Sequence, residues 1–528
     1  MPDSVVMEAP SDDAVGKSSQ AGPDTVRTVA DLVRRAARRD PAHVALISGT
    51  ERVTWGDLDE RVDRAAGALR ALGLVPGDRV ALQLATTPDF PVLYAGALRA
   101  GLVAVPTNTG YTGPELAHLV TDAGARALVT SSVHALDAVD RLRAEAPALE
   151  HVVAAAPSGP DGTLPLPALL ANATVGPDHE ARPEDLAVLV YTSGTSGAPR
   201  GAMLTHRALL ANLEQCGAIR PAVTVPGDVL LLAIPMFHVY GLNPGFGMLA
   251  WAGATGVLVE RFEPAATLEL MARHRVTNVP AVPEMYRRWA GEPGLAAGFA
   301  SVRLALSGAA PLPTETLHAL GSAGITVWEG YGLTEAAPVV TSTLVGGVAK
   351  AGSVGRALPG VEVRLGGDGD PDDDGDDGDP GEILVRGPNL FSGYWPDGAE
   401  GPDADGWWGT GDVAYADDDG DLHLVDRRKE LILVNGFNVY PAEVEAALVR
   451  HPDVAEVAVL GRSDPGGEET VLAFVVATGP LTGPELLEWA AHSLARFKLP
   501  SEVVFVDALP HSATGKVSKA ALRAASRR

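Results

Sequence analysis

Cysteine is almost missing from this sequence. A single Cys216 among 528 residues excludes an internal disulfide framework and points to a reducing, cytoplasmic compartment. As a lone thiol it reads as a small buried apolar residue, not a nucleophile. Positive charge is also scarce: 41 Lys and Arg face 67 Asp and Glu, a formal net charge of −26. A nucleic-acid binder needs a basic footprint, and none is present. Residues 1–25 lack the basic start and apolar stretch of a signal peptide; rich in Asp, Ser, Pro and Gly, they read as a disordered lead-in. The uncharged stretch 229–259 is broken by Pro235, His238, Asn243, Pro244 and its glycines. That pattern argues against a membrane span and for a buried strand, a loop and a tightly packed helix. No Gly-x-Ser-x-Gly elbow occurs, which removes a serine hydrolase. Lysine is outnumbered by arginine 35 to 6, yet four of the six lysines (Lys429, Lys498, Lys516 and Lys519) fall in the last hundred residues. Lysine is a compact, flexible point charge and arginine a planar fork, so lysine in such a chain invites a chemical reason.

What is present is a long alternation of strand and helix patterns. Ala42–Ile47 and Arg52–Thr54 read as strands, and Thr54 caps a helix reaching about Leu72. Its face is Leu58, Val62, Ala65, Ala66 and Leu69. Strands at Arg79–Leu84, Leu102–Pro106 and Ala127–Thr130 then alternate with helices near Pro91–Ala100 and Gly113–Ala123. Such alternation indicates parallel sheets covered by helices. After Gly352 strands shorten and Gly, Pro and Asp turns multiply; the last hundred residues return to a compact α/β pattern. The expected fold is α/β: a large N-terminal domain over 26–425 with parallel-sheet layers and a small β-rich part, then a small α+β domain over 426–528. Asp368–Asp379, with eight aspartates, has part of a calcium loop's spacing, but Gly381 stands where Glu is needed, so a solvated hairpin insertion is expected.

The segment carrying most chemistry is Tyr191-Thr-Ser-Gly-Thr-Ser-Gly-Ala-Pro-Arg-Gly201, after the apolar strand Leu186–Tyr191. Gly194 and Gly197 let successive amides point at one anion. Thr192, Ser193, Thr195 and Ser196 add hydroxyl donors and Arg200 adds charge. This is a polyphosphate loop by composition, and its spacing differs from GxxxxGK[ST]. Further motifs follow in order: Ser307-Gly-Ala-Ala-Pro311, Glu329-Gly-Tyr-Gly-Leu-Thr-Glu335, Gly381-Glu-Ile-Leu-Val-Arg-Gly387, Thr410-Gly-Asp412, Asp426-Arg-Arg-Lys-Glu430 with Gly436, Pro441 and Glu443 behind it, and Gly515-Lys516. In this set and order, from about residue 27 to 524, the chain resembles the adenylate-forming superfamily of acyl-CoA synthetases, luciferase-like enzymes and adenylation domains.

The resemblance implies roles. Gly308, Ala309, Ala310, Glu329, Gly330, Tyr331 and Gly332 look like the adenine shelf. Thr334 resembles the phosphate-contacting hydroxyl, and Glu335 the carboxylate that helps hold Mg²⁺ against ATP. Asp412, assisted by Arg427, looks like the ribose acceptor. Lys516 resembles the mobile ammonium that bridges carboxylate and α-phosphate while acyl-AMP forms, countering the repulsion of two anions. Asp426 stands at the family's hinge, about which a mobile small domain turns to bring Lys429, Gly436 and Asn438 toward the thioester tunnel. One departure is Arg200, where the family's loop carries Lys.

Ile234-Pro-Met-Phe-His-Val-Tyr-Gly241 matches the acyl-CoA synthetase form of the acid-pocket segment. His238 is expected beside the carboxylate or as a gate of the tunnel, with Val239, Gly241, Gly330 and Pro338 in the acid pocket. His238 in place of Asp argues against an amino acid, and Gly330 in place of Arg against a dicarboxylate. Small residues at Gly241, Gly245, Gly247 and Ala250 suggest room for a medium- or long-chain fatty acid, with an aryl acid second. The expected substrates are the acid, ATP and CoA. The alternatives are loading of a separate carrier protein and a non-catalytic adenine-nucleotide binder. The sequence leaves monomer and homodimer open.

Overall fold

The computed structural model describes residues 26–192, 199–366, 380–427, 432–434, 437–439, 441–463, 469–492, 494, 496–511 and 517–526. The lead-in 1–25 and the aspartate-rich stretch from 368 to 379 lie outside these residues.

The alternating pattern builds two large sheets. One has seven strands and a parallel centre: Ala127–Thr130, Arg79–Gln83, Val103–Pro106 and Leu186–Thr192 lie side by side. Its edge is Arg200–Thr205, which returns antiparallel to Leu186–Thr192. The other has nine strands; Thr255–Leu258, Val229–Leu232, Asn278–Ala281, Leu304–Ser307 and Val327–Gly332 are consecutive and parallel. Their β-branched and Leu-rich runs are buried on both faces, as helix-covered parallel sheets require.

Helix Trp55–Ala71 shows the local logic. The Thr54 hydroxyl accepts from the Asp57 amide while the Asp57 carboxylate accepts from the Thr54 amide. Such a capping box satisfies two otherwise orphaned donors. All five residues of the face read from the sequence are buried.

The uncharged stretch 229–259 differs in one respect from the expectation of one strand, a loop and a helix. It holds a second strand, Thr255–Leu258, after a π-helical turn at Gly241–Gly247 and a short helix at Met248–Ala252. Gly253 ends the helix in the left-handed region (φ 71°), and Gly256 lets Leu232 and Leu249 close to 2.9 Å of where a Cβ would sit. No helix among the described residues is long and apolar enough to cross a membrane. Cys216 is buried, and burial pushes its thiol up to about 12.

The four-stranded antiparallel sheet Glu362–Gly366, Gly381–Arg386, Trp407–Ala416 and Leu422–Arg427 forms the small β-rich part. Beyond it, Val454–Ser463, Glu469–Ala477 and Glu502–Phe505 form a three-stranded sheet. That sheet has its own apolar core around Ile432, Val444, Leu448, Val459, Val471 and Leu486.

Candidate active site

Several of the described candidate residues follow parallel strands: Thr192 ends Leu186–Thr192, Gly308 follows Leu304–Ser307, and Glu335 follows Val327–Gly332, the ends at which open α/β sheets bind ligands. On the seven-stranded sheet, Thr192 closes its strand and pairs with Arg200. Ser193, Gly194, Thr195, Ser196 and Gly197 lie outside the described residues. The Arg200 guanidinium forms a two-pronged pair with Glu400, both bonds 2.9 Å. It also lies 3.7 Å over the centre of the Tyr394 ring. The Tyr394 hydroxyl in turn donates to Glu335 Oε1 at 2.7 Å. An aromatic ring thus links the cation at the loop's base to the acidic residue of the Thr334–Ala336 turn. Tyr394 and Glu400 were not foreseen from the sequence. Their place follows from long-range backbone pairing: the Met203 amide donates to Gly393 O, and the Trp395 amide to Gly201 O.

On the nine-stranded sheet, strand Leu304–Ser307 ends in the turn 308–312. Ala309 takes φ 70° there, unusual for a residue with a side chain. Gly308 is half-buried, and Ala309 and Ala310 are exposed. Glu329 is buried, and its Oε2 accepts from the Leu312 amide at 3.2 Å. Burial pushes this carboxyl up to about 7 against that hydrogen bond. Gly330 and Gly332 have no space for a side chain: a Cβ would stand 2.8 Å from Thr341 O and 2.1 Å from Pro338 O respectively.

Tyr331 meets Asp412. Both are buried, and the phenol donates to Asp412 Oδ2 at 2.6 Å. The turn that presents Asp412 is held from a residue the sequence reading left without a role. Glu382 Oε1 accepts from the amide of Gly411, which sits at φ 75°. Asp412 pairs with Arg427 and Val413 with Asp426 across the antiparallel ladder, so the expected hinge adjoins the expected ribose acceptor along the backbone.

Around the expected acid pocket, His238 is half-buried, its amide donating to Pro235 O at 3.0 Å and its ring centre 4.8 Å from that of Phe237. Val239 and Pro338 are buried. Leu231, Leu232, Ile234, Tyr240 and Pro280 close over Gly241 and Gly245, leaving no volume for a water molecule between them.

Lys429, Gly436 and Lys516 lie outside the described residues, and Asn438 sits in strand Phe437–Val439 opposite Leu433. Lys519 pairs with Glu445 at 3.0 Å, and Lys498 with Glu443 at 2.7 Å. For a metal, Glu335 is a buried oxygen donor. A single carboxylate is a donor that suits Mg²⁺, which is shared with substrate phosphates more often than caged by protein. Among the described residues, Asp417, Asp419 and Asp421 have metal-ligand spacing. There the Lys350 ammonium already stands 2.5 Å from Asp417 and 2.8 Å from Asp419.

Comparison with known proteins identifies the family. The family model described as AMP-binding enzyme matches residues 33–395. That described as AMP-binding enzyme C-terminal domain matches 443–516. A feruloyl-CoA synthase of Amycolatopsis sp is 38% identical over 93% of this chain and 97% of its own. A long-chain-fatty-acid–CoA ligase of Escherichia coli O157:H7 is 34% identical, over 96% of each chain. The crystal structure of ATP-bound MatB from Rhodopseudomonas palustris superposes with a TM-score of 0.85 at 34% identity, over 94% of this chain and 98% of that one. The chain therefore belongs to the AMP-binding enzyme family, as an AMP-forming acyl- or aryl-CoA ligase acting with ATP and CoA.

Proposed function

We propose that the protein activates a compact, neutral aryl acid as its acyl-adenylate and passes the acyl group to CoA. The packing of the glycines carries this reading. A Cβ on Gly241 would meet Pro235 O at 2.4 Å, and one on Gly247 would meet Leu213 at 3.1 Å; the open side of Gly245 faces Leu232 at 3.4 Å. These glycines therefore serve close packing. This packing favours a compact acid over the long chain expected from their small size. Among the described residues, the lining of this turn is uncharged and offers no partner for a second carboxylate. A fatty acid is the second reading, favoured by the identity to long-chain ligases.

Asp412 is assigned to the ribose hydroxyls and Tyr331 to the adenine face, with the turn at 308–310 against the base edge. Thr192 to Gly197 and Thr334 bind phosphate, joined by Arg200 when it leaves Glu400. Glu335 would hold Mg²⁺, which supplies charge neutralisation on the phosphates when bound. His238 orients the acid carboxylate. Lys516 neutralises the carboxylate and α-phosphate as pyrophosphate leaves, a contribution of about two to three decades in rate by analogy with other transition-state donors. Asp426 is the hinge, and the face near Lys429, Gly436 and Asn438 turns toward the site for thioester formation. Domain limits of 26–425 and 426–528 belong to this reading.

The test is a panel of aryl and fatty acids with ATP and Mg²⁺, with and without CoA, following AMP release and thioester mass. Ferulate-like acids are expected to exceed decanoate in kcat/KM. A preference for long-chain acids would overturn the aryl assignment, and thioester formed only on a carrier protein would overturn CoA as acceptor.

A further inference from the structure

The segment from Glu335 to Val339 hangs from buried carboxamides belonging to three different parts of the chain. Asn389, fully buried, donates to Ala336 O at 2.9 Å. Asn243 donates to Ala337 O at 2.8 Å and to Leu209 O at 3.0 Å. Asn212, fully buried, donates to Val339 O at 2.8 Å and accepts from the Val339 amide at 3.2 Å. Gln215 joins two of them, accepting from Asn212 at 3.3 Å and donating to Asn389 at 3.1 Å.

This suspension matters because the segment is not at rest by itself. Ala337 holds φ 64°, the left-handed region, which is unfavourable for a residue with a side chain. Such a conformation persists only where its surroundings over-determine it. A buried carbonyl left without its donor is unfavourable, because its desolvation goes uncompensated. The backbone two residues from Glu335 is therefore placed by the amides.

Asn243 differs from the other three in where it stands. It lies inside the π-helical turn Gly241–Gly247, whose Gly241 and Gly245 line the closed apolar space beneath Tyr240. Its second bond reaches Leu209 on helix His206–Ala218, the helix that follows the phosphate-loop strand. One carboxamide, 3% exposed, thus touches the acid-pocket turn, the phosphate-loop helix and the segment bearing Glu335. π-helical turns inside helical segments recur at functional sites.

We propose that Asn243 is a positioning residue coupling occupancy of the acid pocket to the position of Glu335, and through it to nucleotide binding in the presence of Mg²⁺. The proposal rests on the assignments of Glu335 and of the 241–247 turn made above. An acid that enters beside Gly241 and Gly245 displaces that turn. Asn243 transmits the displacement to Ala337 O, and a coupling of this kind is reciprocal between the two ligands.

Binding of α,β-methylene-ATP to the full chain, measured by calorimetry, tests this without turnover. Titrations are run with and without saturating ferulate, repeated with decanoate, each in Mg²⁺ or in EDTA. In Mg²⁺ the better acid is expected to tighten the analogue at least about fivefold, and in EDTA less than about twofold. Asn243→Leu is expected to bring the Mg²⁺ ratio below about twofold. Asn212→Ala, which cuts into the same segment away from the pocket, should weaken the analogue equally with and without acid and keep the ratio. Three results each overturn the proposal: no acid-dependent ratio in the unaltered protein, an unchanged ratio in Asn243→Leu, or a ratio lost equally in Asn212→Ala. Should Asn243→Leu not fold, Asn243→Ser, which keeps one short donor, is held to the same criterion. Absence of AMP release with every acid would instead defeat the proposed function. Activation of an acid with a ratio of one defeats only the coupling.

Discussion

The Tyr331 hydroxyl donates to Asp412 Oδ2 at 2.6 Å with both residues buried, joining the end of a strand in the nine-stranded sheet to the turn of the small β-rich part. A hydrogen bond to a charged group is worth about 1.5–3 kcal/mol. Tyr331→Phe keeps the ring but leaves the carboxylate without this donor. It is expected to raise the KM for ATP about tenfold and leave kcat within about threefold. Unchanged ATP affinity in steady-state kinetics would count against the pair as a nucleotide-positioning unit.

Arg200 is expected to move between two partners. Its pair with Glu400, 30% and 66% exposed, is worth at most about 1 kcal/mol, so phosphate can compete for the guanidinium. Glu400→Gln should leave the melting temperature unchanged and tighten ATP up to about threefold, whereas Arg200→Ala should weaken ATP about tenfold. Equal weakening by both substitutions would make the pair a structural tie and not a reserve of charge.

Glu329 makes stability depend on pH. Burial raises its carboxyl from 4.5 to about 7, so the folded chain binds more protons than the unfolded one between those values. Its contribution is fully present below about 4.5 and is lost as pH rises through 7. Glu329→Gln, neutral throughout, is expected to gain stability relative to the unaltered chain as pH rises from 5 to 8, by about 3 kcal/mol at most. Denaturant unfolding at the two pH values checks this; a difference that does not change with pH would contradict it.

His238→Ala is expected to change the ranking of acids by about tenfold or more in kcat/KM while moving the KM for ATP less than about threefold. Equal losses for every acid together with weaker ATP binding would place the imidazole in the nucleotide site instead.

The sequence made the layers of the fold legible because period and punctuation survive in one dimension. The helix after Thr54 and the strands of the parallel sheets follow from apolar spacing and caps. Motif residues such as Tyr331 and Asp412 were legible as separate words, but their direct bond, across 81 residues, was not. Tyr394, Glu400 and Asn389 carry no local pattern; pairing between residues 201–203 and 392–395 brings Tyr394 and Glu400 beside Arg200 and Glu335. Asn212 and Asn243 looked like ordinary polar interruptions of apolar stretches, and only their burial against backbone carbonyls reveals what they hold. At Gly241 and Gly247 the sequence shows a missing side chain but not the neighbours, Pro235 O and Leu213, that pack against it.

The assignment of Lys516 is tested most directly by acid-dependent exchange of pyrophosphate into ATP, measured beside thioester formation from supplied acyl-adenylate. In Lys516→Ala the exchange is expected to fall by about two to three decades, while thioester formation from the adenylate and CoA stays close to that of the unaltered enzyme. Exchange at the unaltered rate would contradict the proposal that this ammonium brings the carboxylate and the α-phosphate together.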